Sequence, residues 1–178
     1  MKEFEILKRN FMLHFDEHLS SRLREAGAPL LPFWRFLASY GMWGFLVFGV
    51  VLIMLGIGNP IGWLVLCIPV VLTQGLTLGL QFVIRRPRPP IATAKIDMWV
   101  RTYSFPSAHS AGSMAFALMF SSVLILQVEY GVLLSVFLLV FALLIGTSRI
   151  MVGVHYLGDV LAGFIFGILV SGIFFSVV

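Results

Sequence analysis

Charge is what this chain lacks most. From Leu37 to Ile84 there is no Asp, Glu, Lys or Arg across 48 residues. Charged residues make up 11% of the 178, and 60% are hydrophobic, whereas soluble domains carry about 25% charged residues. That excludes a soluble globular domain and predicts a polytopic membrane protein, with residues 1–178 forming a single membrane-embedded domain. There is a single cysteine, Cys67, inside an apolar run. A disulfide would need a second chain, so Cys67 reads as a small core hydrophobe. No apolar run opens the chain. The first begins near Leu30 after a charged segment, so no signal peptide is expected. The net charge of +4 would suggest nucleic acid in a soluble protein. Here the basic residues cluster at the ends of apolar runs, and no nucleic-acid partner is predicted.

What is present is a series of apolar runs separated by short polar breaks. Residues 1–28 place Phe4, Leu7, Phe11, Phe15, Leu19 and Leu23 at three- and four-residue steps, with five basic and five acidic side chains among them. This pattern predicts an amphipathic helix lying in the membrane interface over residues 1–30. His14 and His18 have a metal-compatible spacing but no third ligand nearby, so they read as a solvated face. A bilayer core takes about 20 helical residues. The runs therefore predict five spans within 33–178: 33–56, 61–84, 108–127, 131–149 and one from about His155 to the end. The fold class expected is all-α, five spans plus the interfacial helix, in a six-helix core. Gly75 and Gly79, and again Gly163, Gly167 and Ser171, have the small-residue spacing of close helix packing.

Alternating these spans across a bilayer sorts the polar residues. All twelve Lys and Arg fall on one face, and the opposite face holds only Glu129. Three separated stretches meet on the charged face. The first is Arg85-Arg86-Pro87-Arg88-Pro89-Pro90, opening a loop that runs to Phe105. The second is Pro106-Ser107-Ala108-His109, a helix-start pattern. The third is Ser148-Arg149, then His155, then Asp159. Arginines alone could anchor helix ends among headgroups. Two histidines and an aspartate in the same place call for chemistry, because polar groups at membrane depth are costly.

Several guanidinium groups, a hydroxyl and a helix start suit a many-oxygened anion, and phosphate fits best. His155 could attack phosphorus if Asp159, four residues on, orients its ring. His109 could protonate the leaving oxygen and later activate water. The arginines would stabilise the equatorial oxygens. No metal or other cofactor is required. The chemical rival is a metal site of His109, His155 and Asp159, which clustered arginines would disfavour by repelling a divalent cation.

These residues resemble the type 2 phosphatidic acid phosphatase superfamily of membrane lipid phosphatases. Its pattern is Lys, six residues, Arg-Pro; then Pro-Ser-Gly-His; then Ser-Arg, five residues, His, three residues, Asp. The third part is complete as Ser148, Arg149, His155 and Asp159. The second has Ala108 for glycine. The first ends at Arg88-Pro89 with Gln81 in the lysine position. The resemblance covers about residues 61–178. It implies His155 as nucleophile through a phosphohistidine, Asp159 as its partner and His109 as general acid. It also implies phosphate binding by Arg88, Arg149 and Ser107, and an extracytoplasmic active face in a bacterial inner membrane. At Gln81 a hydrogen-bond donor replaces a cation, so either Arg85 or Arg86 substitutes, or phosphate binding is weakened, or the chain has been altered; Gln81 and Arg86 are counted with the expected phosphate-binding residues.

The function expected is therefore hydrolysis of a phosphomonoester or pyrophosphate on a membrane lipid. Candidate substrates are phosphorylated lipid A, phosphatidylglycerophosphate, phosphatidic acid and a polyprenyl diphosphate. The rivals are a phosphotransferase of the same superfamily, an anion transporter, and an impaired binding homologue.

Overall fold

The computed structural model describes residues 2–57, 59–90 and 102–177, without the side chains of 2–13 and 60. Lys95, Asp97, Trp99 and Arg101, expected in the arginine loop, lie outside the described residues. Helices form over Lys2–Gly27 (α1), Leu31–Met54 (α2), Pro60–Ile84 (α3), Ala108–Gln127 (α4), Gly131–Met151 (α5) and Leu157–Val177 (α6), with a 3-10 turn at Ala28–Leu30. Among the described residues there is no strand. Five helical stretches are long and apolar enough to cross a membrane, the first running from His14 to Met54.

Each boundary has a local cause. Pro29 and Pro32 break the α1 pattern, since proline lacks the N–H that a helix interior needs. Asn59 caps α3 by accepting from the Ile61 N–H at 2.9 Å, and Pro60 follows at the first helical position. The Arg-Pro-Arg-Pro run ends α3, and Arg85 takes the left-handed conformation at φ 52°. Ser107 caps α4, accepting from the Ser110 N–H and hydroxyl. Gly153, at φ 77°, makes the bend between α5 and α6 that a side chain would resist.

Helix α4 is the centre of the bundle, packed between α3, α5 and α6, while α2 packs on α5. Lipid tails are as apolar as a protein core, so helix association here rests on close approach and dispersion. Helix α4 supplies it with small residues, including Ala111, Gly112, Ala115 and Ala117. Helix α6 answers with Gly163 and Gly167. A Cβ at either would lie 2.5 Å from the carbonyl oxygen of Ser107 or Ala111 respectively. Toward the far end, Phe116 and Phe120 stack with 3.7 Å between ring centroids, and Phe45 lies tilted against Phe116 at 4.5 Å.

The expected packing role of Gly75 and Gly79 is not what the bundle uses. Both are exposed, and a Cβ at either would meet nothing within 4 Å. Helix α3 instead buries Thr73, Thr77 and Gln81. The threonine hydroxyls donate to carbonyls one turn back, at Pro69 and Thr73, so the polar groups are satisfied within the helix.

Helix α1 crosses the end of the bundle where α5 stops and α6 begins. Gly27 lies against Met151 there. The opposite end is apolar. It holds a cavity of about 360 Å³ lined by Asn59, Trp63, Val123, Gln127 and Phe174. Apart from Glu129, in the turn between α4 and α5, the described charged side chains are thus gathered at the end that α1 crosses.

Candidate active site

His155 lies in the bend before α6, and Asp159 is the third residue of that helix. The two are therefore not stacked on one helical face, as their spacing suggested. The ring nitrogen Nδ1 stands 2.7 Å from the carbonyl oxygen of Ser104 and 3.6 Å from Asp159 Oδ2. A carbonyl only accepts, so Nδ1 carries the hydrogen and donates it to Ser104. In the neutral ring this leaves a lone pair on Nε2, which faces Arg88 Nη1 at 3.1 Å. Burial pushes the His155 pKa down to about 4, with the charges of Arg149 and Arg88 acting in the same direction and Asp159 opposing them. The imidazole is thus neutral near pH 7, with its free lone pair on Nε2.

Arg88 is fixed from three sides. Its Nε donates to the Thr102 carbonyl at 2.8 Å, its Nη2 to the Thr102 hydroxyl at 2.9 Å, and its Nη1 to the Val154 carbonyl at 3.0 Å. Burial pulls its pKa below the usual guanidinium value, and the Asp159 charge partly offsets this. Arg149, on α5, is buried and donates through Nη1 to the Ala38 carbonyl on α2 at 2.8 Å. Its Nε is buried without a partner among the described residues. His109 lies in the first turn of α4, and the charges of Arg149, His155 and Arg88 all act on it. Four expected site residues from three segments therefore converge: His155, His109, Arg88 and Arg149.

Asp159 is the hub of the other side. Its Oδ2 accepts from the Tyr156 N–H at 2.9 Å, capping α6 from the third helical position. Its Oδ1 accepts from Arg86 Nη1 at 2.8 Å, and its carbonyl accepts from the Ser107 N–H at 3.0 Å. With both carboxylate oxygens so engaged, Asp159 is poorly suited to complete a metal site with the two histidines.

Arg86 meets a different fate from the phosphate-binding one expected of it. Its second terminal nitrogen donates to Asp16 Oδ2 at 2.7 Å, and its guanidinium lies 4.3 Å over the Tyr156 ring. Two carboxylates and an aromatic face hold it as a bridge. Arg85 turns back onto its own helix, donating to the Phe82 carbonyl. Neither guanidinium takes the place of a lysine at position 81. Gln81 itself is buried and donates to the Pro106 carbonyl at 2.8 Å, while its Oε1 has no partner among the described residues. It braces the start of α4. The Ser107 hydroxyl is the cap of that helix, so its acceptor capacity is taken up by Ser110.

A neutral, oriented imidazole facing half-buried Arg88, with buried Arg149 and a second histidine nearby, is an arrangement suited to an anion. A family model described as the PAP2 superfamily matches residues 62–178. The chain belongs to the PAP2 superfamily. Among solved structures, it is similar to a transmembrane PAP2 type phosphatidylglycerolphosphate phosphatase from Bacillus subtilis. That match has a TM-score of 0.75 at 22% identity, covering 94% of this chain and 86% of the other. It is also similar to LpxE from Aquifex aeolicus, with a TM-score of 0.64 at 26% identity, covering 89% of this chain and 93% of the other. PAP2 membership and these neighbours support a membrane lipid phosphatase, and the five apolar spans make this PAP2 chain a multi-pass membrane protein.

Four residues around the PAP2 motifs escaped the sequence reading. Ser104 acts on His155 through its main-chain carbonyl, which any residue type would offer. Its own N–H and hydroxyl donate to Arg86 and Pro87 carbonyls, so it ties the two ends of the arginine loop together. Thr102 holds Arg88 from the same loop. Asp16 and Ser20 reach in from α1. Ser20 is fully buried in a helix otherwise read as interfacial, and the signal for both was their i,i+4 spacing on one face.

Proposed function

We propose that this protein hydrolyses a phosphomonoester or pyrophosphate on a membrane lipid through a phosphohistidine on His155, without a metal ion. The observation that carries this reading is the Ser104 carbonyl on His155 Nδ1, which leaves Nε2 unprotonated beside Arg88. In the first step Nε2 bonds to phosphorus, and the bond from phosphorus to the lipid oxygen breaks. His109, protonated, gives its proton to that oxygen. In the second step neutral His109 takes a proton from water as the water oxygen bonds to phosphorus. The P–N bond then breaks, and His155 returns to its neutral form as phosphate leaves. Arg88 and Arg149 carry the charge on the equatorial oxygens, which is the principal demand of phosphoryl transfer. The buried, unpartnered Arg149 Nε gives such an oxygen a donor to meet. These fixed cations supply the electrostatics that a divalent ion would otherwise provide.

The lipid tails stay in the bilayer, and the headgroup reaches the charged end of the bundle from the side. Both similar solved structures come from bacteria, which suits a bacterial inner membrane with the site on the extracytoplasmic face.

The test is phosphate release in the presence of chelator from a panel of four lipids: phosphatidic acid, phosphatidylglycerophosphate, a polyprenyl diphosphate and 1-phosphorylated lipid A. At least one should be turned over, and His155→Ala should abolish release. Full activity in His155→Ala would sink the mechanism, and activity lost to chelator would revive the metal route.

A further inference from the structure

Helix α1 touches the site at three points that the phosphatase reading does not use. Ser20 Oγ accepts from the Leu157 N–H at 2.8 Å, and Asp16 Oδ1 accepts from the Gly158 N–H at 3.0 Å. These are two of the first N–H groups of α6, which lack partners within their own helix. Asp16 Oδ2 then holds Arg86 at 2.7 Å, and Arg86 holds Asp159 at 2.8 Å. The chain of charges runs Asp16, Arg86, Asp159, and ends 3.6 Å from the His155 ring.

We infer that Asp16 and Arg86 are positioning residues through which the N-terminal helix sets the place and effective charge of Asp159, and so the basicity of the nucleophile. This rests on the phosphatase reading. The physical argument concerns sharing. A guanidinium bound to a single carboxylate cancels most of that carboxylate's field. Arg86 is divided between two carboxylates, so the trio keeps one net negative charge next to His155. Asp16 thereby lets Asp159 be held firmly by a cation without being neutralised by it. Other charged groups face His155: Arg88 from the arginine loop, Arg149 on α5, and His109 on α4. Glu17 and Arg24 of α1 act on neighbouring Tyr156. Arg88, Arg149 and a protonated His109 all disfavour a proton on His155, which leaves the trio as the opposing influence.

The two ends of this relay must then act with opposite sign. Removing the Asp16 charge makes the site more positive, so the imidazole resists protonation further. Removing the Arg86 charge exposes His155 to the full field of Asp159, so it protonates more readily. The acidic limb of the kcat/KM profile reports that protonation. It should move to lower pH in Asp16→Asn and to higher pH in Arg86→Gln, each by about half a pH unit. In both variants kcat should fall roughly tenfold with KM within about twofold, the pattern of an interaction used in the transition state. Asp16→Glu, which keeps the charge, should restore the limb.

The measurement uses the full-length protein in detergent, with whichever of the four panel lipids is turned over fastest. Loss of packing alone would lower the amount of active enzyme without moving the limb. Limbs that overlay wild type, or that move in the same direction, would overturn the inference. If wild type releases phosphate in a His155-dependent way while the limbs stay fixed, the relay fails and the phosphatase reading stands. If His155→Ala remains active, the phosphatase mechanism itself fails. Should Asp16→Asn not accumulate, Arg86→Lys and Arg86→Gln carry the same test: only Gln should move the limb, and equal movement in both overturns the relay.

Discussion

On one side of His155, Arg86 lies between two carboxylates at 2.7 and 2.8 Å and over the face of Tyr156. On the other, Arg88 and Arg149 donate to carbonyl oxygens, a hydroxyl and the imidazole, and neither makes an ion pair among the described residues. Three arginines thus sit around one imidazole on two electrostatic plans. On the first side the guanidinium is outnumbered by carboxylates and both its terminal nitrogens are taken, so that side would repel an anion although the Arg86 Nε has no partner among the described residues. The side with cations and no carboxylate partner is the costly one, since Arg88 and Arg149 also repel each other. An anion would relieve that cost. The comparison separates an arginine that shapes the site from arginines that would bind in it, although Arg86 and Arg88 are two residues apart.

The strongest way to break this comparison is to neutralise one arginine from each side. Arg88→Ala should lower kcat/KM about 1,000-fold, the scale of losing one oxyanion donor, and should abolish competitive inhibition by inorganic phosphate. Arg86→Ala should cost far less and leave the phosphate inhibition constant within about twofold. Equal losses in both, measured by lipid-phosphate turnover, would erase the distinction.

A second test uses pH and stability. The His155 pKa is depressed from 6.5 to about 4 in the folded protein. Between these values the unfolded chain binds a proton that the folded one refuses. This contribution to stability is therefore complete above the unfolded value and is lost as pH falls from about 6.5 through about 4. Thermal melts in detergent should drop across that window, and His155→Gln should flatten the drop. A wild-type melt independent of pH from 7 to 4 would contradict the burial of a neutral imidazole.

Gln81→Lys sharpens the cationic side. A lysine can keep the bond to the Pro106 carbonyl and replaces the unpartnered Oε1 with a further donor. Inorganic phosphate should inhibit several-fold more tightly, and the phosphate-free protein should melt lower because another cation joins Arg88 and Arg149. Unchanged inhibition would mean that position 81 only braces α4.

The smallest effects concern what holds the two sides in register. Gly163→Ala forces a Cβ against the Ser107 carbonyl and should destabilise by about 1–3 kcal/mol. Gly75→Ala meets nothing and should change stability by less than about 1 kcal/mol, in the favourable direction. Chemical denaturation of the two variants in parallel distinguishes them.

These particulars also explain how much was legible beforehand. The five apolar runs predicted the spans because hydrophobic length is a direct consequence of membrane thickness, and α4 begins and ends at the residues predicted. The convergence of Arg88, Arg149, His109 and His155 followed from alternating the spans across a bilayer. What the reading could not reach depended on direction rather than type. The sequence of Arg86 and Arg88 is equally basic, and only the approach of Asp16 from a distant helix turns one of them away from the ligand side. The Ser104 carbonyl carries no side-chain signature at all. Gly75 and Gly79 matched a packing motif whose meaning depends on which face of α3 looks inward.

The contact between Asp16 and Gly158 spans 142 residues. Asp16 leaves the ribosome early, yet its partner on α6 exists only once translation has passed residue 158. The contacts of Asp16 and Ser20 therefore form only once Leu157 and Gly158 are in place. A chain cut before α6 would keep His155 but lose Asp159, the carboxylate beside its ring and the anchor of Arg86.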